Sequence, residues 1–337
     1  MAQKFLQLGR TGIKVSNLCL GAMMFGGKTN FDDSAAIIDR ALDAGINFID
    51  TANVYNAGRS EEATGQALKR NGKRNAVVLA TKVHGKMGDG PNDLGNSRRH
   101  ILEQCDASLK RLQTDYIDLY QIHRPDPHIP IDETLRALDD LIRAGKVRYI
   151  GSSTYAAWQL VESLWVAKEQ HLNRFVCEQP PYHILDRRIE RELIPMAQTY
   201  GFGVIPWSPL AGGMLTGKYK RGEAMPDDSR WAAYQSNPMM RRRWTESLYD
   251  AVEALLPIAA GKGCALSQFS LAWCMAQAGV TSPIIGPRTL EQLNDNLQAF
   301  DVEITVEDCK AVDAVVGPGA HITAYYEADF GPHPYRV

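Results

Sequence analysis

The 337 residues contain no apolar run approaching the ~18 needed to cross a bilayer, so no membrane span is expected. The six cysteines are scattered with no C-x-x-C pair, which excludes a disulfide framework and the common zinc spacings. They read as reduced, buried small hydrophobes in a cytoplasmic chain, and no metal site is expected. Charge of one sign is also missing: 37 Lys and Arg face 39 Asp and Glu, a balance that argues against a nucleic-acid-binding surface. The opening MAQKFLQLGR lacks the apolar stretch of a signal peptide. Neither a G-x-G-x-x-G turn nor a P-loop is present.

What is there is a repeat of short apolar runs and helical patterns. Two short runs flank Gly9-Arg10-Thr11-Gly12, predicting a β-hairpin cap over residues 1–16. Strand-like runs then begin near Asn17, Ile46, Ala76, Tyr116, Val147, Phe175, Gly203 and Thr281. The first seven start 28 to 40 residues apart, the length of a strand, a crossover helix and two loops. Segments such as DDSAAIIDRALDAG and DETLRALDDLIRAG open on carboxylates and stop at glycine, as helices do.

Eight such units fit either a closed (β/α)8 TIM barrel or an open doubly wound sheet. An open dinucleotide-binding sheet would carry a glycine fingerprint after its first strand, where this chain has Gly-Ala-Met-Met-Phe-Gly-Gly. The even spacing therefore predicts one (β/α)8 domain across 1–337. One interval departs from it: the last two strands lie 78 residues apart, with a long loop over 209–244 that reads as a lid or binding loop. The basic run Arg241–Arg243 in it reads as a solvated helix start, and 318–337 as a non-periodic tail.

Active sites of (β/α)8 enzymes lie at the C-terminal strand ends. Strand two ends at Asp50, strand three at Lys82 and strand four at His123, with Tyr55 five residues beyond Asp50. A lysine closing a buried strand needs a counter-charge, and Asp50 is adjacent. An ammonium beside a phenol stabilises the phenolate and eases proton release. These four residues suit protonation of a carbonyl oxygen while hydride arrives at carbon. Lys82 could instead serve an aldolase as a Schiff-base nucleophile, but a neighbouring carboxylate keeps it charged and disfavours that role.

With those residues in view, the chain resembles the aldo-keto reductase superfamily, in its bacterial NADPH-dependent branch. LGRTGIKVSNLCLG, AGINFIDTANVYNAGRSEEATGQAL, DYIDLYQIH, LIRAGKVRYIGSS, GVIPWSPLAGGMLTGKY and PIIGPRTLEQLNDN carry the likeness. The resemblance implies a barrel with Asp50, Tyr55, Lys82 and His123 as catalytic tetrad, Tyr55 being the general acid. It implies NADPH as cofactor, its carboxamide at Ser153, Thr154 and Gln179 and its ring on Trp207. Thr154 stands where the family often has Asn, so a shorter hydroxyl replaces an amide. Ser208, Leu210, Gly212 and Lys218 would line the pyrophosphate, Gly286 and Arg288 the 2′-phosphate, and Gln292, Asp295 and Asn296 the adenine.

The expected partner is a small-molecule carbonyl substrate, with Met24, Phe25, His84, Trp231 and Tyr234 shaping an apolar pocket. Relatives acting on keto-sugars and 3-keto trichothecenes make such bulky keto-compounds candidates. The resemblance also admits a regulatory reading, similar to potassium-channel β subunits that bind NADPH as a sensor. An intact tetrad and the lack of an appended N-terminal segment weigh against it.

Overall fold

The computed structural model of the chain describes residues 2–227, 229, 231–232, 236–237 and 244–323. β1 (Phe5–Gln7) and β2 (Lys14–Ser16) form an antiparallel hairpin, Phe5 opposite Ser16. Eight parallel strands follow: β3 (Cys19–Gly21), β4 (Phe48–Asp50), β5 (Val78–Val83), β6 (Ile117–Ile122), β7 (Val147–Ser153), β8 (Cys177–Gln179), β9 (Gly203–Val204) and β10 (Ile284–Ile285). Their spatial order is their order in sequence, and β10 lies against β3. The ring closes where Val204 bridges Val280 and Trp207 bridges Ile284, with the Ile284 N–H donating to Pro206 O at 2.8 Å. This is the expected (β/α)8 barrel.

Helices α1 (Phe31–Asp43), α2 (Arg59–Asn71), α3 (Arg98–Leu112), α4 (Ile131–Arg143), α5 (Ala157–Glu169) and α6 (Leu193–Tyr200) fill the first six crossovers. The long seventh carries α7 (Glu246–Gly261) and α8 (Leu266–Ala276), and α9 (Leu290–Leu297) and α10 (Val306–Val315) follow β10. Local chemistry fixes their starts. Asn30 accepts from the Asp33 N–H at 2.8 Å ahead of α1, and Thr305 and Asp308 cap α10 reciprocally. Among the described residues, no helix is long and apolar enough to cross a membrane.

Successive side chains of a strand point to opposite faces, which divides the core in two. Outward residues such as Ile49, Leu79 and Ile122 pack against the helices. Inward ones (Cys19, Phe48, Val78, Ala80, Leu119, Cys177, Ile205) fill the barrel, and Leu8 and Val15 of the hairpin close its lower end. Gly9 makes that closure possible. Its φ is +55°, and a Cβ there would collide with Val176 O and Gly203 N. Two residues above this apolar layer the same inward positions become Asp50, Lys82, Gln121 and Gln179, all buried. Polarity thus rises toward the strand ends.

One buried carboxyl lies on the helix-facing side. Glu178 accepts from Ser152 Oγ at 2.5 Å and from the Tyr155 N–H at 3.0 Å. Burial outweighs these bonds and pushes its pKa up to about 8. A carboxyl with a raised folded pKa loses stability as pH rises from about 4.5 through about 8, because the unfolded chain ionises first. Glu178→Gln keeps the shape, and its NH2 can donate to Ser152 Oγ. At about pH 8 urea unfolding should show the variant more stable by roughly 4 kcal/mol, with the gain vanishing near pH 4.5. An equal stability difference at both pH values would contradict this.

Candidate active site

After β4 the chain keeps pairing with β5: the Thr51 N–H donates to Ala80 O at 2.9 Å and the Asn53 N–H to Lys82 O at 3.1 Å. It then turns sharply through left-handed Asn56 (φ 49°) and Ala57 (φ 55°). The Asn56 amide donates to Met23 O at 3.0 Å and Phe25 O at 2.8 Å, which pins the turn to the loop after β3. Tyr55 itself sits in the turn before this reversal, its N–H donating to Ala52 O at 3.2 Å, and its phenol lies over the barrel mouth within reach of Lys82.

There the four expected residues meet. Lys82, fully buried, pairs through Nζ with Asp50 Oδ1 and donates to Thr51 O at 2.8 Å and to Tyr55 Oη at 3.2 Å. The Tyr55 and His123 rings lie edge to face, centroids 5.5 Å apart and planes at 81°. Burial works against the Lys82 ammonium, but attraction to Asp50 and then Tyr55 outweighs it, and its pKa is raised. A raised pKa keeps Lys82 charged at neutral pH, which weighs against the Schiff-base reading. Burial, then the charges of Lys82 and Arg124, hold His123 well below the usual imidazole range, so it is neutral.

Two residues that the sequence left without a role belong to this cluster. Gln121 Nε2 donates to Asp50 Oδ2 at 3.0 Å, and Gln179 Nε2 donates to the same oxygen at 3.0 Å and to Gln121 Oε1 at 3.2 Å. Arg124 Nη1 donates to His123 O at 2.7 Å and Thr154 Oγ1 at 3.0 Å, and its guanidinium carbon lies 5.9 Å from the Trp207 ring centroid. A signal for Gln121 did exist: an amide two residues before His123 shares its inward face.

The cofactor-site expectations fall around the same rim. Ser153 Oγ donates to Gln179 O at 2.9 Å, and the Thr154 N–H donates to that carbonyl at 3.2 Å. Thr154 is left-handed at φ 63°, a conformation that Asn tolerates and a β-branched residue strains to adopt. Trp207 stands half-buried on the closing seam. Beyond it Ser208 (φ 57°), Ala211 (φ 50°), Gly212 (φ 66°), Gly213 (φ 102°) and Gly217 (φ 73°) adopt left-handed backbone, the kind of turn in which N–H groups converge on an anion. Lys218 Nζ lies 3.6 Å from where a Cβ of Gly213 would stand, so an ammonium borders bare backbone. Leu210 begins this stretch, its carbonyl accepting from the Gly213 N–H at 2.8 Å.

Around Gly286 an added Cβ would meet nothing within 4 Å. The Arg288 N–H donates to Gln292 Oε1 at 2.8 Å, and Thr29 Oγ1 donates to Arg288 O at 3.0 Å, fastening this loop to α9. Asn296 is buried on α9, while Asp295 turns toward α8 and accepts from Ser267 Oγ at 2.9 Å and Gln268 Nε2 at 2.7 Å. A bare, cation-edged cradle, an indole face and an amide rim fit an extended dinucleotide.

The substrate-pocket expectations need correction. Phe25 is 0% exposed and belongs to the core beneath the helices, so it lines no open pocket. Trp231 is 4% exposed and packs edge to face on Trp244 at 5.4 Å, inside an apolar cluster that the long loop shares with α7, α8 and α10. Aromatic identity signalled burial here rather than ligand contact. Met24 and His84 stay half-buried near the mouth, and His84 Nδ1 bonds Asn96 Oδ1 at 3.0 Å. Tyr234, Arg241–Arg243 and tail residues 324–337 lie outside the described residues. Of the tail, His321 bridges Asp186, and the Ile322 N–H donates to Leu185 O at 3.0 Å.

Comparison with known proteins agrees with the barrel fold. The model of the Aldo/keto reductase family matches residues 17–316. The chain belongs to the aldo/keto reductase family. As an aldo/keto reductase it is an oxidoreductase, and its relatives span two kinds of name. It is 41% identical over 333 residues to Uncharacterized oxidoreductase YrpG of Bacillus subtilis (strain 168), covering 96% of this chain and 99% of that one. It is 40% identical over 318 residues to a probable voltage-gated potassium channel subunit beta of Oryza sativa subsp. japonica, covering 93% and 96%. A putative subunit of the same name in Schizosaccharomyces pombe is 37% identical over 321 residues, covering 93% of each chain. Among the described residues of this aldo/keto reductase, no cluster of three or more His, Cys, Asp or Glu is placed to hold a metal.

Proposed function

We propose that the protein reduces an aldehyde or ketone with NADPH, Tyr55 supplying the proton. The observation that carries this is the contact of Lys82 Nζ with Tyr55 Oη at 3.2 Å while Asp50 holds the same ammonium. Bound NADPH supplies a hydride to the carbonyl carbon. The Tyr55 O–H breaks as its proton passes to the carbonyl oxygen, and the negative charge left on the phenolate faces the Lys82 ammonium. Asp50 keeps Lys82 protonated, so Lys82 stabilises charge rather than attacking carbon. Neutral His123 has an N–H with which to orient the carbonyl without competing as an acid.

Ser153, Thr154 and Gln179 would hold the carboxamide and Trp207 the ring face. Ser208, Leu210, Gly212 and Lys218 would hold the pyrophosphate, and Gln292, Asp295 and Asn296 would border the adenine. Gly286 leaves room for the ribose 2′-phosphate, and Arg288 matches its charge through paired hydrogen bonds. Arg288→Ala should therefore raise KM for NADPH by about 10- to 100-fold and leave that for NADH unchanged. Equal losses with both cofactors would refute the 2′-phosphate assignment.

A panel of aldehydes, ketones and bulkier keto-compounds, including keto-sugars and 3-keto trichothecenes, followed by NADPH absorbance, tests the function. A second reading is favoured by the names of two of the relatives above: an NADPH-binding regulatory subunit. Tight NADPH binding with no turnover across the panel would select it.

A further inference from the structure

The buried amides under the mouth are not interchangeable. A carboxylate oxygen only accepts hydrogen bonds, so both groups facing Asp50 Oδ2 must be NH2 groups. Gln179 spends one N–H on Asp50 and the other on Gln121 Oε1, which leaves Oε1 as its only remaining polar atom, on the branch turned away from Asp50. Turning the Gln179 amide over would set its oxygen against the carboxylate and strand two buried acceptors. Gln121 is itself held, fully buried, by its own bond to Asp50 at 3.0 Å.

We infer that Gln121 is a positioning residue. Through it and Asp50, the charge that keeps Lys82 protonated also sets the polarity of the carboxamide site, so Gln179 presents an acceptor and recognises an N–H donor. This deepens the proposed function and rests on its placing of the nicotinamide beside Gln179. The ligand feature recognised is the carboxamide NH2, the group that a 3-acetylpyridine ring replaces by methyl. Gln121 touches neither cofactor nor substrate and acts only through Gln179 and Asp50.

The test compares Gln121→Leu with wild type by titrating three ligands calorimetrically: NADP+, its 3-acetylpyridine analogue, and adenosine 2′,5′-bisphosphate. Loss of one buried bond to Gln179 should weaken NADP+ by about tenfold and leave the other two within about twofold. Unchanged NADP+ affinity overturns the inference, and so does an equal loss for all three ligands, which would mean general damage to the site. If wild type itself binds no NADP+, the functional reading falls and this inference with it.

Gln121→Met provides a second route should the leucine variant fail to fold, since its unbranched side chain fills the space of the amide with neither its donor nor its carbonyl acceptor. The same loss of about tenfold for NADP+ alone is expected, and unchanged NADP+ affinity in this variant would overturn the proposal.

Discussion

Tyr55→Phe should lower kcat by about 10²- to 10⁴-fold, the range that a positioned general acid contributes. The ring remains, so its edge-to-face contact with His123, at 5.5 Å between centroids, is kept. Only the hydroxyl that meets Lys82 is lost. NADPH affinity should stay within about twofold of wild type, since none of the residues assigned to the cofactor is touched. A loss shared by kcat and kcat/KM, with the dissociation constant unchanged, is the pattern of a group needed in the transition state alone. Turnover near wild type in this variant would remove Tyr55 from the chemistry.

Lys82→Met should have the largest effect on the fold. The ion pair with Asp50 is fully enclosed, and removing one partner leaves a carboxylate held only by the Gln121 and Gln179 amides. Breaking a buried pair in this way typically costs about 3–5 kcal/mol, whereas replacing both partners with neutral groups is often nearly neutral. Urea unfolding at neutral pH should show that loss for Lys82→Met. Asp50→Asn/Lys82→Met should recover most of the stability while remaining inactive. Equal stability of the single and double variants would show that the pair is not electrostatically coupled.

The barrel was legible because a parallel strand and its crossover helix need a nearly constant length, and this chain keeps it for seven strands. The last strand was legible too, although β10 pairs over only Ile284–Ile285, because its apolar run lies beyond two helical patterns. The tetrad followed from the strand-end rule, since a lysine that closes a buried strand requires a carboxylate nearby. The route by which Tyr55 returns was not legible. It depends on Thr51 and Asn53 continuing to pair with β5 beyond Asp50 and on the turn that the Tyr55 N–H closes on Ala52 O, tertiary pairings that the residues of this loop do not announce.

The pocket wall failed for a related reason. Phe25 and Trp231 are large and apolar wherever they stand, and only tertiary packing decides between core and cleft. Gln121 was visible as a buried amide but had no partner until the barrel register set Gln121 beside Lys82, and Asp50 and Gln179 closed around it.

The most direct test of the account is the rate of a single turnover in H2O and D2O, begun by mixing carbonyl substrate with NADPH already bound. If the exchangeable phenol proton of Tyr55 moves as hydride is transferred, D2O slows NADPH oxidation, and deuterium at the transferring carbon slows the same step further. A rate indifferent to D2O, in an enzyme that keeps its turnover as Tyr55→Phe, would contradict the account.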